Sequence, residues 1–319
     1  MVGALKYVTE AFVSSGMGML DFEEDMKRLK PDYFVVNSDG YTDGKKRICD
    51  ENNVELIVLE RIPEEGLPAR SSSSSKKELQ FPYRVCLAGG WVDQPWVSAV
   101  HPGSVVVAQI WPTIEFNDRS GMATSSRKVA RELWGGKIPE GNQVRNAQLL
   151  FGAENPPGKE YISGSQDHLG LLVPGVSRLD YDGKYWPSDI KNTYDQDTCD
   201  WLSDVLHLIP LSPRPDGYDP LIDQNLKVEF VKELGDAGKK CYDAILSKDV
   251  KLLGESMTET FYSWKKILPN TVPQWVLDEM ESKFIGKYPG AITSGCGGGY
   301  AVVASEVPIE GALKIKVRY

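Results

Sequence analysis

Ser120-Gly121-Met122-Ala123-Thr124-Ser125-Ser126-Arg127 runs directly into a helical pattern that continues to Trp134. A short glycine-led loop that ends in hydroxyl residues and opens a helix is a physical anion site. Its free backbone N–H groups and the positive end of the helix dipole point at whatever sits there. The hydroxyls of that first turn have two readings. They can cap the helix, or they can ligate a phosphate-bound Mg²⁺, an ion that prefers oxygen ligands. The plain alternative is an N-cap with spare serines, because short Gly/Ser motifs also arise by chance. The rest of the chain has to decide between them.

The 319 residues are 41% hydrophobic and 25% charged, a composition suited to two or three compact units and devoid of a membrane-length apolar run. No signal peptide is read at the start of the sequence, and a cytoplasmic location is expected. The five cysteines (Cys49, Cys86, Cys199, Cys241, Cys296) are odd in number and lack metal-ligand spacing. They read as reduced thiols rather than a disulfide framework or a zinc site. Three histidines (His101, His168, His207) are too dispersed for a His-based metal cage. A net charge of −9 opposes general nucleic-acid binding, so an anionic nucleotide would need loop amides or local Arg and Lys.

Upstream of the loop, Asp21–Leu29 is amphipathic, with acids early and bases late as the macrodipole favours. Tyr33-Phe34-Val35-Val36 is a short strand closed by the turn Asn37-Ser38-Asp39-Gly40. A helix over Lys45–Asn52 and a strand over Val54–Leu59 complete a parallel strand–helix–strand unit. It is only a fraction of a doubly wound domain, with its N-terminal side missing. The run Ser71–Ser75 reads as a polar linker or as part of that unit.

From Phe81 the pattern changes. Tyr83–Ala88 is a strand carrying Arg84, and it breaks at Gly89-Gly90-Trp91-Val92-Asp93-Gln94-Pro95. Val105–Ile110 is a β-branched strand that Trp111–Phe116 extends or pairs with. A second helix follows near Gln143–Phe151, then Gly164-Ser165-Gln166-Asp167-His168-Leu169-Gly170. Trp201–Leu211 reads as one or two strands. Leu221–Leu246, Lys251–Ile267 and Pro273–Phe284 carry helical spacing. Gly295-Cys296-Gly297-Gly298-Gly299-Tyr300 then precedes strands at Ala301–Ala304 and Leu313–Val317.

Four of these stretches, in this order and spacing, resemble the GHMP small-molecule kinases, nearest to the sugar kinases related to heptose phosphate kinase, fucokinase and galactokinase. They are Arg84–Asp93, Gly121–Ser126, Gly164–Asp167 and Gly295–Gly299, and the resemblance covers about Phe81–Tyr319. It departs at Ala123 and Thr124, which replace the second Gly and first Ser of the family's Gly-Leu-Gly-Ser-Ser-Ala loop, and at Leu171–Gly175. The resemblance implies an α+β fold with a ribosomal protein S5-like N-terminal part (81–210) and a ferredoxin-like helical C-terminal part (211–319). Residues 1–75 resemble a partial cytidylyltransferase-like segment, through Lys30–Asn37, Leu59-Glu60-Arg61, Gly66 and the serine run. That family's His-x-Gly-His motif has no counterpart, since no His precedes His101, so no nucleotidyl transfer is expected.

What the kinase resemblance implies is transfer of a phosphoryl group from ATP, with Mg²⁺, to a hydroxyl of a sugar or sugar phosphate. Asp167 matches the base that accepts the hydroxyl proton, and Arg84 the cation beside it. Gly121, Met122, Ala123, Thr124, Ser125 and Ser126 match the phosphate loop. Asp93 matches a carboxylate that binds substrate hydroxyls, with His168, Gly297 and Gly298 as further substrate candidates. One of the hydroxyls of Thr124, Ser125 and Ser126, together with Glu154, is the metal-ligand candidate set. A catalytically silent nucleotide- or sugar-binding sensor is the other reading. Partners are expected to be small molecules, neither nucleic acid nor membrane, and a homodimer is left open.

Overall fold

The computed structural model describes residues 20–60, 81–114, 116, 120–212 and 218–319. The serine run, Arg61 and Gly66 lie outside them. Two compact units meet in sequence at Ser71 and Ser72. In the smaller, α1 (Glu23–Leu29) precedes β1 (Tyr33–Asn37), α2 (Asp43–Glu51) and β2 (Glu55–Leu59). The two strands pair in parallel, with Tyr33 opposite Glu55 and Asn37 opposite Leu59, as the strand–helix–strand reading expects. Thr42 caps α2 by accepting from the Lys45 amide at 3.3 Å. Met26, Ile48, Cys49 and Val54 form a small core of their own.

The larger unit is an α+β fold with two four-stranded sheets. The first is antiparallel in the order β3 (Tyr83–Ala88), β4 (Gly103–Ile110), β5 (Val176–Tyr181) and β6 (Asp189–Thr193), with the short helix α3 (Pro95–Ser98) between β3 and β4. Around it lie α4 (Thr124–Trp134), α5 (Gln143–Glu154), α6 (Ser165–Leu172) and α7 (Gln196–Val205). The second sheet takes β7 (Leu206–Pro210) together with β8 (Gly290–Gly295), β9 (Gly298–Ala304) and β10 (Leu313–Lys314), in the order β10-β7-β9-β8. Helices α8 (Val228–Ser247), α9 (Val250–Ile267) and α10 (Gln274–Lys283) precede β8 in the chain. Every residue of β3 and β4 is buried, so these strands form the floor on which the site helices rest.

Several segments differ from the pattern read in the sequence. Trp201–Val205 is not a strand but the end of α7, whose N-cap Asp195 accepts from the Thr198 amide at 2.9 Å. Cys199, Leu202 and Val205, spaced three apart, bury one face of it. Helix α8 starts at Val228, not near Leu221. Strands β5 and β6 escape a hydrophobic reading because their polar residues are satisfied locally. Arg178 Nε donates to Asp180 Oδ1 at 2.9 Å and to Ser104 Oγ at 3.2 Å. The C-terminal segment divides its pairing, Leu313–Lys314 with β7 and Val317 with Ile110 of the first sheet. Trp111 joins it there, donating its amide to Lys316 O at 2.7 Å.

Candidate active site

The phosphate-loop candidate closes as a left-handed turn at two points. Gly121 sits at φ +75° and Ala123 at φ +56° immediately before α4. Ala123 is the N-cap residue and has no side-chain oxygen to spend on the first-turn amides of α4. Its left-handed backbone also explains why a Gly stands there in the family loop that this stretch resembles. Within the first turn the hydroxyls separate: Ser125 is exposed and lines a cavity of about 430 Å³, whereas Ser126 is fully buried. Arg127 turns inward and serves the fold. Its Nε donates to Phe81 O at 3.0 Å and its guanidinium lies 3.9 Å over the Tyr83 ring.

The last glycine-rich stretch supports this loop from behind. Gly121 and Gly295 are packed backbone to backbone, so that a Cβ on either one would run into the other. Ser294 Oγ donates to Ser120 O at 2.5 Å and accepts from the Tyr300 amide at 3.1 Å. Gly295 and Cys296 reach the cavity wall, but Gly297 and Gly298 do not. Gly297 donates its amide to Thr271 O at 2.9 Å, and Gly298 has Ser212 O and the Trp275 ring where a Cβ would stand.

Across the cavity, Arg84 of β3 and Asp167 in the first turn of α6 form an ion pair. Gly170, one turn further along α6, lets the Arg84 chain cross: a Cβ there would collide with Arg84 Cγ. Arg84 Nη1 also donates to Gly121 O at 3.3 Å, and its amide to Met122 O at 3.4 Å, tying the base candidate to the phosphate-loop candidate. Arg84 is 6% exposed, and burial pulls its pKa down, opposed by Cys86 and Asp93. A guanidinium stays charged through such a shift. The Asp167 side chain is 22% exposed and therefore accessible to a ligand, and the α6 dipole favours its negative form.

Asp93 lines the same cavity at 2% exposure. Burial pushes its carboxyl up to about 6, against the opposing effect of Arg84. Its Oδ1 accepts from Gln166 Nε2 at 2.9 Å. Glu154 lies at the end of α5, where its Oε2 meets His168 Nε2 at 2.7 Å and its Oε1 accepts from Ser163 Oγ at 3.1 Å. Burial raises the Glu154 pKa, but His168, Ser126 and Lys159 outweigh it and the net shift is downward. Ser126 Oγ lies against this carboxylate yet completes no well-formed hydrogen bond. His168 is fully buried, edge-on to Phe151 with ring centroids 5.2 Å apart, and is absent from the cavity wall. The expected substrate contact by His168 is thus replaced by a buried bond to Glu154.

A magnesium ion bound with a nucleotide keeps several waters and needs few protein oxygens. The ionised Glu154 and the Ser126 hydroxyl beside it, which completes no well-formed hydrogen bond, fit that donor set, both lying outside the cavity wall, so of the three candidate hydroxyls Ser126 is the one set against the carboxylate. Among the described residues no three His, Cys, Asp or Glu side chains cluster to hold a metal. No helix of the described residues is long and apolar enough to cross a membrane.

No protein-family model and no curated protein matches the sequence. Solved structures do. A mevalonate kinase superposes with a TM-score of 0.51 at 14% identity, over 71% of this chain and 90% of that one. A galactokinase from Lactococcus lactis, solved with galactose, covers 71% of this chain and 84% of its own at 14% identity and TM-score 0.47. A D-glycero-D-manno-heptose 1-phosphate kinase from Bacteroides thetaiotaomicron covers 75% and 95% at 12% identity and TM-score 0.46. The α+β layout, the two antiparallel sheets and the superposition on mevalonate kinase show that the chain has the fold of the GHMP small-molecule kinases.

Proposed function

We propose that this chain is an ATP- and Mg²⁺-dependent kinase that phosphorylates a hydroxyl of a sugar or sugar phosphate. One observation carries the reading: the Arg84–Asp167 pair, the uncapped turn at Gly121–Ser125 and the buried Asp93 line one cavity. In-line phosphoryl transfer requires a positioned acceptor and neutralised charge more than covalent help. Asp167 would take the hydroxyl proton. Arg84, held by burial and by Gly121 O, would keep Asp167 ionised and face the transferring oxygens. The α4 amides and Ser125 would hold the phosphates, and Asp93 would orient the acceptor. Glu154 with Ser126 would hold Mg²⁺, which supplies positive charge to the nucleotide phosphates.

Incubation with ATP, Mg²⁺ and a panel of hexoses, heptoses, their phosphates and uronic acids, read as ADP release and as phosphorylated sugar, tests this. Nucleotide binding with no phosphorylated product from any acceptor would instead favour a silent sensor.

A further inference from the structure

The acceptor end of the cavity carries a conformation that costs stability. Trp91, in the turn between β3 and Asp93, sits at φ +80°. A bulky side chain there crowds its own backbone, and surroundings must hold it in place. Trp91 is half-buried, tilted against Trp96 with ring centroids 6.0 Å apart, and it lines the cavity. Trp264 and Tyr161 line it too, and Trp264 Nε1 is fixed on Gly90 O at 2.8 Å.

A second observation lies beside the first. Gln166 uses its amide N–H on Asp93 Oδ1, while its buried Oε1 has no hydrogen-bond partner. Gly164 lies against Asp93 Oδ2, where any Cβ would collide. The side-chain groups with acceptor capacity here are the Gln166 carbonyl, which has no partner, and the Asp93 carboxyl. Their complement is a pair of hydroxyl donors. Arg84, the one guanidinium among the described residues of the wall, is already engaged by Asp167 and by Gly121 O.

We infer that the acceptor end is built for a neutral sugar, with Trp91 as the platform for its apolar face and Gln166 with Asp93 reading two neighbouring free hydroxyls, and that it rejects uronic acids and sugar phosphates. A pyranose ring offers that combination, an aliphatic face and a rim of O–H donors, whereas a carboxylate or phosphate in place of those hydroxyls would set acceptors against the Gln166 carbonyl and a second negative charge against Asp93. The inference rests on the kinase reading only for which end of the cavity receives the acceptor.

Calorimetry with the full chain at pH 7.5 tests it. The neutral probes are galactose, mannose, fucose and a glycero-manno-heptose; the anionic ones are galacturonate, mannuronate and the 1-phosphates of galactose and mannose. At least one neutral sugar should bind roughly tenfold or more tightly than its anionic counterpart, with the gap narrowing at high salt. Trp91→Gly should weaken that sugar about tenfold, while its melting temperature stays within a few degrees of wild type, because glycine relieves the left-handed strain as it removes the ring. Trp91→Phe should keep most of the affinity, and Gln166→Met should lose about tenfold.

Anionic probes that bind as well as neutral ones would overturn the inference, as would no binding by any neutral probe, or unchanged affinity in both Trp91→Gly and Gln166→Met. Neutral sugars bound but never phosphorylated would sink the kinase reading alone. Phosphorylation confined to anionic acceptors would sink the neutral-sugar inference and leave the kinase.

Discussion

Replacing Asp93 by Asn should make the protein more stable at neutral pH and worse at binding its acceptor. Asp93 is 2% exposed, and burial raises its carboxyl to about 6 from an ordinary 3.8. The folded chain therefore holds this proton more tightly than the unfolded chain does. Its contribution to stability is complete below pH 3.8, declines as pH rises through the interval to about 6, and stays low above it. A shift of about two units corresponds to about 3 kcal/mol at roughly 1.4 kcal/mol per unit, of which about 2–3 kcal/mol is developed between pH 4 and pH 8. Asn keeps an oxygen for the Gln166 amide and does not ionise, so this part of the pH slope should vanish. Urea unfolding of wild type and Asp93→Asn at several pH values gives the difference directly. The variant should gain on wild type by about 2–3 kcal/mol from pH 4 to pH 8, or roughly 5–10 °C in melting temperature at the alkaline end. Parallel stability-against-pH curves for the two proteins would refute the argument that Asp93 is a buried, costly anion.

Other perturbations separate the site from the fold. Ser125→Glu places negative charge where the phosphates are expected, so calorimetry should show ATP affinity lowered at least about tenfold with the melting temperature little changed. Gly121→Ala must put a Cβ into Gly295 at φ +75°, and urea unfolding should register a loss of about 2 kcal/mol or more. Asp167→Ala strands a buried guanidinium, a cost of about 3 kcal/mol, whereas Arg84→Met leaves a carboxylate that water and the α6 dipole can serve; the first should lose clearly more stability in the same assay. Glu154→Gln should weaken Mg²⁺ dependence, seen as a higher Mg²⁺ concentration at half-maximal ADP release, and an unchanged curve would remove Glu154 from the ion's surroundings.

The sequence announces most of the scaffold because its signals are local. The β-branched run at Val105–Ile110, the amphipathic spacing of α9, and the Gly-to-hydroxyl step at Gly121–Ser126 each become the element that they suggest. What stayed hidden depends on residues distant in sequence. That Gly295 is there to let Gly121 close, with Ser294 bonding Ser120, joins positions 174 apart and has no local signature. Gln166 looks like spacing between Ser165 and Asp167 until its amide is seen on Asp93. His168, read beside Asp167 as a substrate residue, lies about half a turn around α6 from Gln166 and meets Glu154 of α5. Trp91 reads in the sequence as core packing or as a ring for a sugar face; only its positive φ marks it as held in place at a cost. The Asp195 cap that turns Gln196–Val205 into a helix was readable, as an Asp three residues before a buried Thr–Cys pair, but the apolar end of that stretch resembles a strand.

The most direct measurement is single-turnover phosphoryl transfer by Asp167→Asn, with ATP affinity measured alongside. Asn preserves the size and the acceptor facing Arg84 while removing the charge and the proton-accepting group. Transfer to the preferred sugar should slow by roughly two to four orders of magnitude, with ATP bound nearly as before. Adding Arg84→Met to it should cost little more, because the two side chains act as one unit. Transfer by Asp167→Asn at a rate near that of wild type would contradict the assignment of Asp167 as the base.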